Sequence, residues 1–223
     1  MKPSLQTIAI CLGLIQGLAA AAQPNFVVIF TDDQGYEDVG CFGSTNIRTP
    51  RLDAMAKQGM KFTSFYAQPI CGPSRAALMT GCYPMRVAER GQTKQVHPIL
   101  HEDEITVAEV LKAQGYATAC FGKWDLAKHA QTGFFMDLFP TRQGFDYFYG
   151  TPTSNDRLVN LYRNEKLIEP ASNMATLTQR YTDEAIAFIR TNQDQPFFVY
   201  IPYTMPHTRL DASAKFKGKS KRG

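Results

Sequence analysis

The chain has 223 residues, of which 44% are hydrophobic and 20% are charged, a balance that excludes disordered and collagen-like proteins and leaves room for a real core. Its formal charge is +4, but basic residues crowd the last nine positions. The rest of the chain is slightly acidic, so the charge gives no support for a nucleic-acid-binding face.

Residues 1–22 have the pattern of a secretory signal peptide. Lys2 precedes an apolar stretch from Leu5 to Leu18, and three small residues end the segment at Ala22. The alternative is a membrane anchor, but roughly 14 apolar-rich residues fall short of the ~20 that a bilayer span needs. We therefore expect cleavage after Ala22, a secreted or periplasmic protein, and no stable membrane anchor.

The first predicted strand is the continuous apolar run 25–30, which is typical of a strand buried on both faces of a parallel sheet. Thr49 as N-cap and Pro50 in the first turn predict a helix that Gly59 ends. Residues 61–67 indicate a short strand.

Residues 73–80 read as a helix ended by Gly81, with Cys71 just ahead of its first turn. Thr106 and Glu109 form a capping box that opens another helix. A strand is predicted at 117–121, a helix between 178 and 192 and a final buried strand at 196–201, whereas 142–170 looks like a long irregular connection. Strands that alternate with helices predict an open α/β sheet.

Polar side chains follow three of these predicted strands: Asp32 and Asp33, then Lys123 and Asp125, then His207. Because parallel strands end at one edge of the sheet, we expect these groups to converge in one crevice. An Asp pair after a strand often only caps a turn. The convergence favours a cation site, and hard oxygen ligands suit Ca²⁺, with Mg²⁺ also possible.

Cys71 stands at a helix N-terminus, where the dipole and free N–H groups stabilise negative charge. Removal of the leader leaves Cys71, Cys41, Cys82 and Cys120, an even number that permits two disulfides and lacks zinc spacing. From spacing alone, Cys71 is either a reactive group or the disulfide partner of one of the other three.

The run from Cys71 to Gly81, Cys-Gly-Pro-Ser-Arg-Ala-Ala-Leu-Met-Thr-Gly, resembles the type I sulfatase motif. The resemblance extends through the opening strand and the Gly-Lys-Trp that ends at Trp124, and covers residues 24–210. It implies an alkaline-phosphatase-like α/β fold with a mainly parallel sheet flanked by helices, incomplete at the C-terminus. It also implies hydrolysis of sulfate esters, of a sulfated small molecule or a sulfated glycan.

The resemblance further implies that a separate formylglycine-generating enzyme oxidises Cys71 to formylglycine. The hydrated aldehyde offers one hydroxyl to attack sulfur and a second to expel sulfate afterwards, which a serine could not do. Asp32, Asp33 and residue 71 would hold the divalent cation. Arg75 would steady the nucleophile.

Lys123 and His207 are implied to neutralise sulfate oxygens and to protonate the leaving alcohol. Ser154 resembles another position that contacts the sulfate. The family usually has histidine after Gly-Lys-Trp, whereas Asp125 stands here. That histidine is assigned the base that deprotonates the second hydroxyl, and a carboxylate could take the same proton.

The expected organisation is a signal peptide at 1–22, a partial sulfatase N-terminal domain at 23–210 and a basic tail at 211–223 that marks a truncation point. The family's later Asp-Asn pair and second lysine have no counterpart here. The basic tail has a second interpretation, as a membrane-binding or nucleic-acid-binding segment.

Two rival functions remain open. A phosphonate or phosphodiester hydrolase of the same superfamily can share the formylglycine device. A catalytically inactive binding protein could retain the pocket, and Asp125 together with the early stop favours it.

Overall fold

The computed structural model describes residues 23–87, 100–128, 133–156 and 158–221. The predicted signal peptide at 1–22 lies outside the described residues. None of the helices in the described ranges is long and apolar enough to cross a bilayer.

The core of the fold is a six-stranded sheet with the strand order β1-β6-β2-β3-β4-β5. Its strands are β1 (Phe26–Phe30), β2 (Ala117–Lys123), β3 (Tyr147–Thr151), β4 (Leu161–Arg163), β5 (Lys166–Glu169) and β6 (Phe197–Pro202). The first four strands of that order are parallel, and β4 and β5 are antiparallel additions at one edge. The mainly parallel α/β sheet expected from the sequence is confirmed.

The α-helices of the described residues are α1 (Pro50–Gln58), α2 (Cys71–Thr80), α3 (Pro84–Val87), α4 (Val107–Ala113) and α5 (Met174–Thr191). Of these, α2 and α4 pack on one face of the sheet and α5 on the other. Side chains of β6 alternate between the two layers, with Phe198 and Tyr200 in the cluster beside α2 and α4, and Val199 in the cluster under α5.

The predicted capping box is confirmed. Thr106 accepts a hydrogen bond from the Glu109 amide (3.2 Å), and the Glu109 carboxylate accepts one from the Thr106 amide (2.8 Å). The Thr106 hydroxyl also donates to the Gln143 carbonyl (2.9 Å), which ties α4 to the loop before β3. The predicted starts and ends of α1 at Pro50 and Gly59 are confirmed as well.

The prediction that β1 is buried on both faces is wrong. Among the described residues β1 pairs only with β6, and Val27 and Ile29 are 46% and 52% exposed. Val28 and Phe30 face the cluster beside α2. The apolar run therefore identified a strand but not the strands beside it, because a run of apolar residues does not indicate where in the sheet a strand lies.

Two further predictions are corrected. Residues 61–67 form no strand, and the supposed irregular connection 142–170 contains β3, β4 and β5. The β4–β5 turn places Asn164 at φ 49°, a left-handed conformation that Asn tolerates in tight hairpins. β3 has five residues, and β4 and β5 have only three and four and are partly exposed, so none of the three has a long continuous apolar signal.

The centre of the sheet is packed too closely for any side chain at two positions. A Cβ on Gly150 would lie 1.9 Å from the Gly122 carbonyl oxygen, and one on Gly122 would lie 1.9 Å from that of Pro202. Gly122 also has φ 138°, which disfavours other residues. This close approach brings the ends of β2, β3 and β6 together and so shapes the edge where polar groups gather.

Candidate active site

The carboxyl ends of β1 and β2 meet through a buried ion pair. The Lys123 ammonium donates to the Asp32 carboxylate at 2.8 Å, although 91 residues separate them. Lys123 is fully buried and Asp32 nearly so. The predicted convergence of strand-end groups is therefore confirmed for these two residues.

Arg75 braces this pair from α2. Its guanidinium donates to the other Asp32 oxygen (3.1 Å) and to the Lys123 carbonyl (2.8 Å). The same group lies over the Phe30 ring, and the Tyr200 hydroxyl is beside it. Arg75 is fully buried. The structure thus places its guanidinium against the strand ends, and its charge also interacts with residue 71.

Cys71 is the first residue of α2, and its thiol donates a hydrogen bond to Asp125. Burial and the neighbouring Asp125 charge raise the pKa of the Cys71 thiol to about 12. The helix N-terminus favours a thiolate, but desolvation and a like charge outweigh it here. The unmodified cysteine is therefore a protonated thiol at neutral pH and a poor nucleophile.

Lys123 lies between two carboxylates, with the Asp125 carboxylate 3.7 Å from its ammonium. Burial alone would lower the pKa of Lys123, but Asp125 and Asp32 more than offset burial and hold its pKa above the ordinary value. Lys123 remains a cation that could face an anionic substrate. Asp125 itself adopts φ 60°, a left-handed conformation that short polar residues tolerate.

His207 follows β6 and faces the site with one ring nitrogen. Its Nε2 lies 3.3 Å from Asp156 and 3.6 Å from Asp33, and its Nδ1 lies 2.9 Å from the Thr208 carbonyl. The ring is mostly buried. His207 and Asp33 are therefore brought together as the sequence predicted, with Asp156 as an unforeseen neighbour.

Ser154 is buried, and its hydroxyl donates to Asp156 at 2.5 Å. Asp156 carries no recognisable motif, and the only sequence signal is its place two residues after Ser154. Asn155 was missed as well. Its side-chain amide donates to the Thr204 carbonyl (2.9 Å), which joins the end of β3 to the segment after β6.

Cys41, Cys71, Cys82 and Cys120 are all free thiols in the structure. The disulfide interpretation of Cys71 has no support from this geometry. Burial raises the pKa of Cys120 well above its ordinary value. Cys120 packs in the apolar cluster beside α2 and takes no part in the polar site.

The site carries more negative than positive charge. Two permanent cations, Arg75 and Lys123, stand against the carboxylates of Asp32, Asp33, Asp125 and Asp156. A divalent cation would offset this excess. Within the described ranges, however, no group of three His, Cys, Asp or Glu side chains is arranged to hold one. The carboxylate oxygens and the negative charge of the site therefore suit a hard cation, but the described residues supply too few ligands to hold one.

The chain is therefore an α/β protein with a mainly parallel sheet, and a buried Lys–Asp–Arg network lies at the carboxyl edge of that sheet beside the first residue of α2. The particular family follows from comparison. The sulfatase family model matches residues 24–223, and the chain belongs to the sulfatase family.

The chain is similar to human steryl-sulfatase, with 32% identity over 92% of this chain and 49% of that protein. It is also similar to dog N-acetylgalactosamine-6-sulfatase, with 35% identity over 93% of this chain and 44% of that protein. The crystal structure of the PsFucS1 sulfatase from Pseudoalteromonas sp. superposes with a TM-score of 0.75 at 26% identity, covering 98% of this chain and 51% of that one. The chain spans about half the length of the curated relatives it matches.

Proposed function

We propose that this chain carries the nucleophile-bearing part of the active site of a sulfuric ester hydrolase. The observation that carries the proposal is the position of Cys71, at the start of α2 with its side chain against Asp125, beside the ion pair of Lys123 and Asp32. The family membership supports the same reaction class. The named relatives act on steryl sulfate and on an N-acetylgalactosamine 6-sulfate, so the proposed substrates are sulfate esters of a small molecule or a glycan.

Residue 71 requires oxidation before it can act in this way, because its thiol is held protonated. The proposed group is formylglycine, made by a maturation enzyme, whose hydrate supplies a nucleophilic hydroxyl and a second one for sulfate release. The surroundings fit this group. Asp125 accepts a hydrogen bond from the Cys71 thiol, and a hydroxyl at the same place would be a stronger donor to it.

The residues of the site have separate proposed tasks. Asp125 would accept the proton of the hydroxyl at position 71, and Lys123 would neutralise a sulfate oxygen. His207 would donate a proton to the leaving alcohol as its bond to sulfur breaks. Arg75 would keep Asp32 and Lys123 in place.

Asp32 and Asp33 are the residues that would hold a cation, proposed to be Ca²⁺ or Mg²⁺, which would polarise the sulfate when bound. Ca²⁺ usually takes about 6 to 8 oxygen ligands, more than these carboxylates and residue 71 supply. We therefore propose that this chain by itself turns over slowly. The proposed organisation remains a leader at 1–22, a sulfatase domain at 23–210 and a basic tail at 211–223, in a secreted or periplasmic protein.

The test is to co-express the chain with a formylglycine-generating enzyme and to analyse the peptide containing residue 71 by mass spectrometry. An aldehyde at Cys71 is expected, and an unmodified thiol would remove the nucleophile assignment. The Cys71→Ala variant should lose all turnover of an aryl sulfate, whereas the matched Cys82→Ala variant should keep it.

A second measurement compares this chain with a version extended by the C-terminal portion of a close relative. Higher turnover by the extended protein is expected if additional ligands complete the cation site. Equal turnover would show that the described carboxylates suffice. Assays of a phosphate diester and a phosphonate ester alongside the aryl sulfate identify which ester is preferred.

One observation favours a non-catalytic alternative. Lys123 is already flanked by Asp32 and Asp125, so its charge is largely neutralised before any sulfate arrives. A binding protein that holds a sulfated ligand without turnover would show an aldehyde-independent affinity. The comparison is between the chain with an unmodified Cys71 and the chain with an aldehyde at that position. If these two forms bind the ligand equally and the extended protein does not hydrolyse it, this alternative replaces the hydrolase.

A further inference from the structure

The backbone that leads to His207 is anchored from two other strand ends. The Thr204 carbonyl accepts a hydrogen bond from the Asn155 side chain (2.9 Å), and the Met205 carbonyl accepts one from the Asp32 amide (3.2 Å). These contacts come from the segments after β3 and β1. They fix where the His207 backbone lies, but they do not set the direction of its ring.

The ring direction depends on its two nitrogens. Nδ1 of His207 lies 2.9 Å from the Thr208 carbonyl, and because a carbonyl only accepts, Nδ1 carries a proton. Nε2 is then the nitrogen that faces the site, and it donates to a carboxylate or to a leaving alcohol only in the imidazolium form, in which both ring nitrogens carry a proton. Its nearest carboxylate oxygen belongs to Asp156 at 3.3 Å, and Asp33 is farther, at 3.6 Å.

Asp156 is held by contacts within its own turn. Its Oδ2 accepts the Ser154 hydroxyl (2.5 Å), and its amide donates back to the Ser154 oxygen (3.1 Å). The other oxygen, Oδ1, is the one nearest to His207. Buried Ser154 thus fixes the orientation of a carboxylate that is itself 44% exposed and bridges to the ring.

We propose that Asp156 is a positioning residue that aims Nε2 of His207 into the site, and that Ser154 acts by orienting Asp156. The inference rests on the proposed function in giving His207 a task at the leaving group. It also adds a task to the one expected of Ser154. A serine hydroxyl has a single proton, and in the absence of substrate Asp156 receives it.

The test is histidine-selective ring NMR of the full chain, which contains four histidines. Comparison with the His207→Gln spectrum assigns the His207 signals. Asp156→Ala should shift those signals and leave the other three histidines unchanged. Ser154→Ala should shift them in the same direction by less, because Asp156 remains but is no longer oriented.

Asp156→Asn is the conservative variant. It keeps one acceptor oxygen, and when that oxygen faces Nε2 the Ser154 hydroxyl loses its acceptor, so this variant should restore only part of the shift. Asp194→Asn, at an exposed position distant in sequence, is the matched control and should change nothing. Thermal melts should stay the same for all of these variants of exposed aspartates. His207 signals that do not move in Asp156→Ala would overturn the proposal.

This readout needs neither turnover nor a matured residue 71, so it separates the two proposals. An unmodified Cys71 would remove the nucleophile assignment and leave the His207 shifts as evidence for positioning. In a version of the protein that turns over, Asp156→Ala should lower kcat about tenfold to a hundredfold, less than the roughly hundredfold or more that complete loss of a general acid costs, with little change in KM. An unchanged kcat in that protein would also overturn the proposal.

Discussion

Arg75 is a buried cation whose planar guanidinium contacts Asp32 and the Lys123 carbonyl at once. Lysine keeps the charge but cannot make both contacts, since it lacks the fork of donors. Arg75→Lys should therefore lower the free energy of unfolding by about 2 to 4 kcal/mol, near the cost of breaking a buried pair. Urea unfolding measures this loss. The exposed Arg190→Lys substitution is the control, and an equal, small effect of both would contradict the bracing role.

The Cys71 thiol should react slowly with alkylating reagents in the unmodified chain. Its pKa is raised to about 12 by burial and by Asp125, so the reactive thiolate is rare at neutral pH. The exposed Cys82 should be alkylated first. Time-resolved peptide mass spectrometry follows both sites. In Asp125→Asn the charge is gone and Cys71 should react faster, and an unchanged rate would show that burial alone sets the pKa.

At the scale of single elements, the N-terminus of α4 depends on Thr106, which is fully buried. Thr106→Ala removes the cap on the Glu109 amide and leaves the Gln143 carbonyl without its donor. A loss of about 1 to 2 kcal/mol is expected from the cap. Thermal or urea unfolding checks it. Thr178→Ala, at an exposed position inside α5, should change stability by less than about 0.5 kcal/mol.

Helix α5 is joined to β4 by Glu184, which accepts from Arg163 (2.5 and 2.9 Å) and from Tyr147 (2.7 Å). Burial would raise the pKa of Glu184, but the hydrogen bonds from Arg163 and Tyr147 lower it below its ordinary 4.5. A lowered folded-state pKa contributes stability above pH 4.5 that disappears as the pH falls through the folded value.

Between neutral and acid pH, the free energy of unfolding should therefore decrease less in Glu184→Gln than in the wild type. The difference should be about 1 kcal/mol or less, because Arg163 is partly exposed. Urea unfolding at neutral pH and below pH 4 gives the comparison. The exposed Glu102→Gln variant should keep the wild-type slope. A Glu184→Gln variant that loses stability in acid as steeply as the wild type would show that the pair does not contribute.

At the scale of the whole molecule, the exposed face and edge of β1 should promote self-association. Ile29 is 52% exposed on a strand that pairs only with β6 among the described residues, and such apolar edges associate readily. Ile29→Lys should increase the monomer fraction in sedimentation velocity. Val110→Lys changes an equally exposed residue on α4 and should not. Equal effects would point to general surface hydrophobicity.

Part of the site could be predicted because its residue types carry their chemistry with them. Cys71, Arg75 and Lys123 were found through a motif, and the strand-end positions of Asp32 and His207 predicted their convergence. Asp156 was not found, because its task depends on a contact with a side chain about 50 residues away. No local pattern encodes such a contact.

By itself the sequence determined the family, the mainly parallel sheet, the helix starts at Pro50 and Val107, and the position of the candidate nucleophile. Those features depend on local patterns: caps, turns and apolar runs. Only the tertiary structure decided that β1 pairs with β6 alone among the described residues, that Arg75 turns to the strand ends and that Cys71 is held as a protonated thiol. Each of these follows from burial and from charges brought close by folding, and neither quantity exists until distant segments pack together.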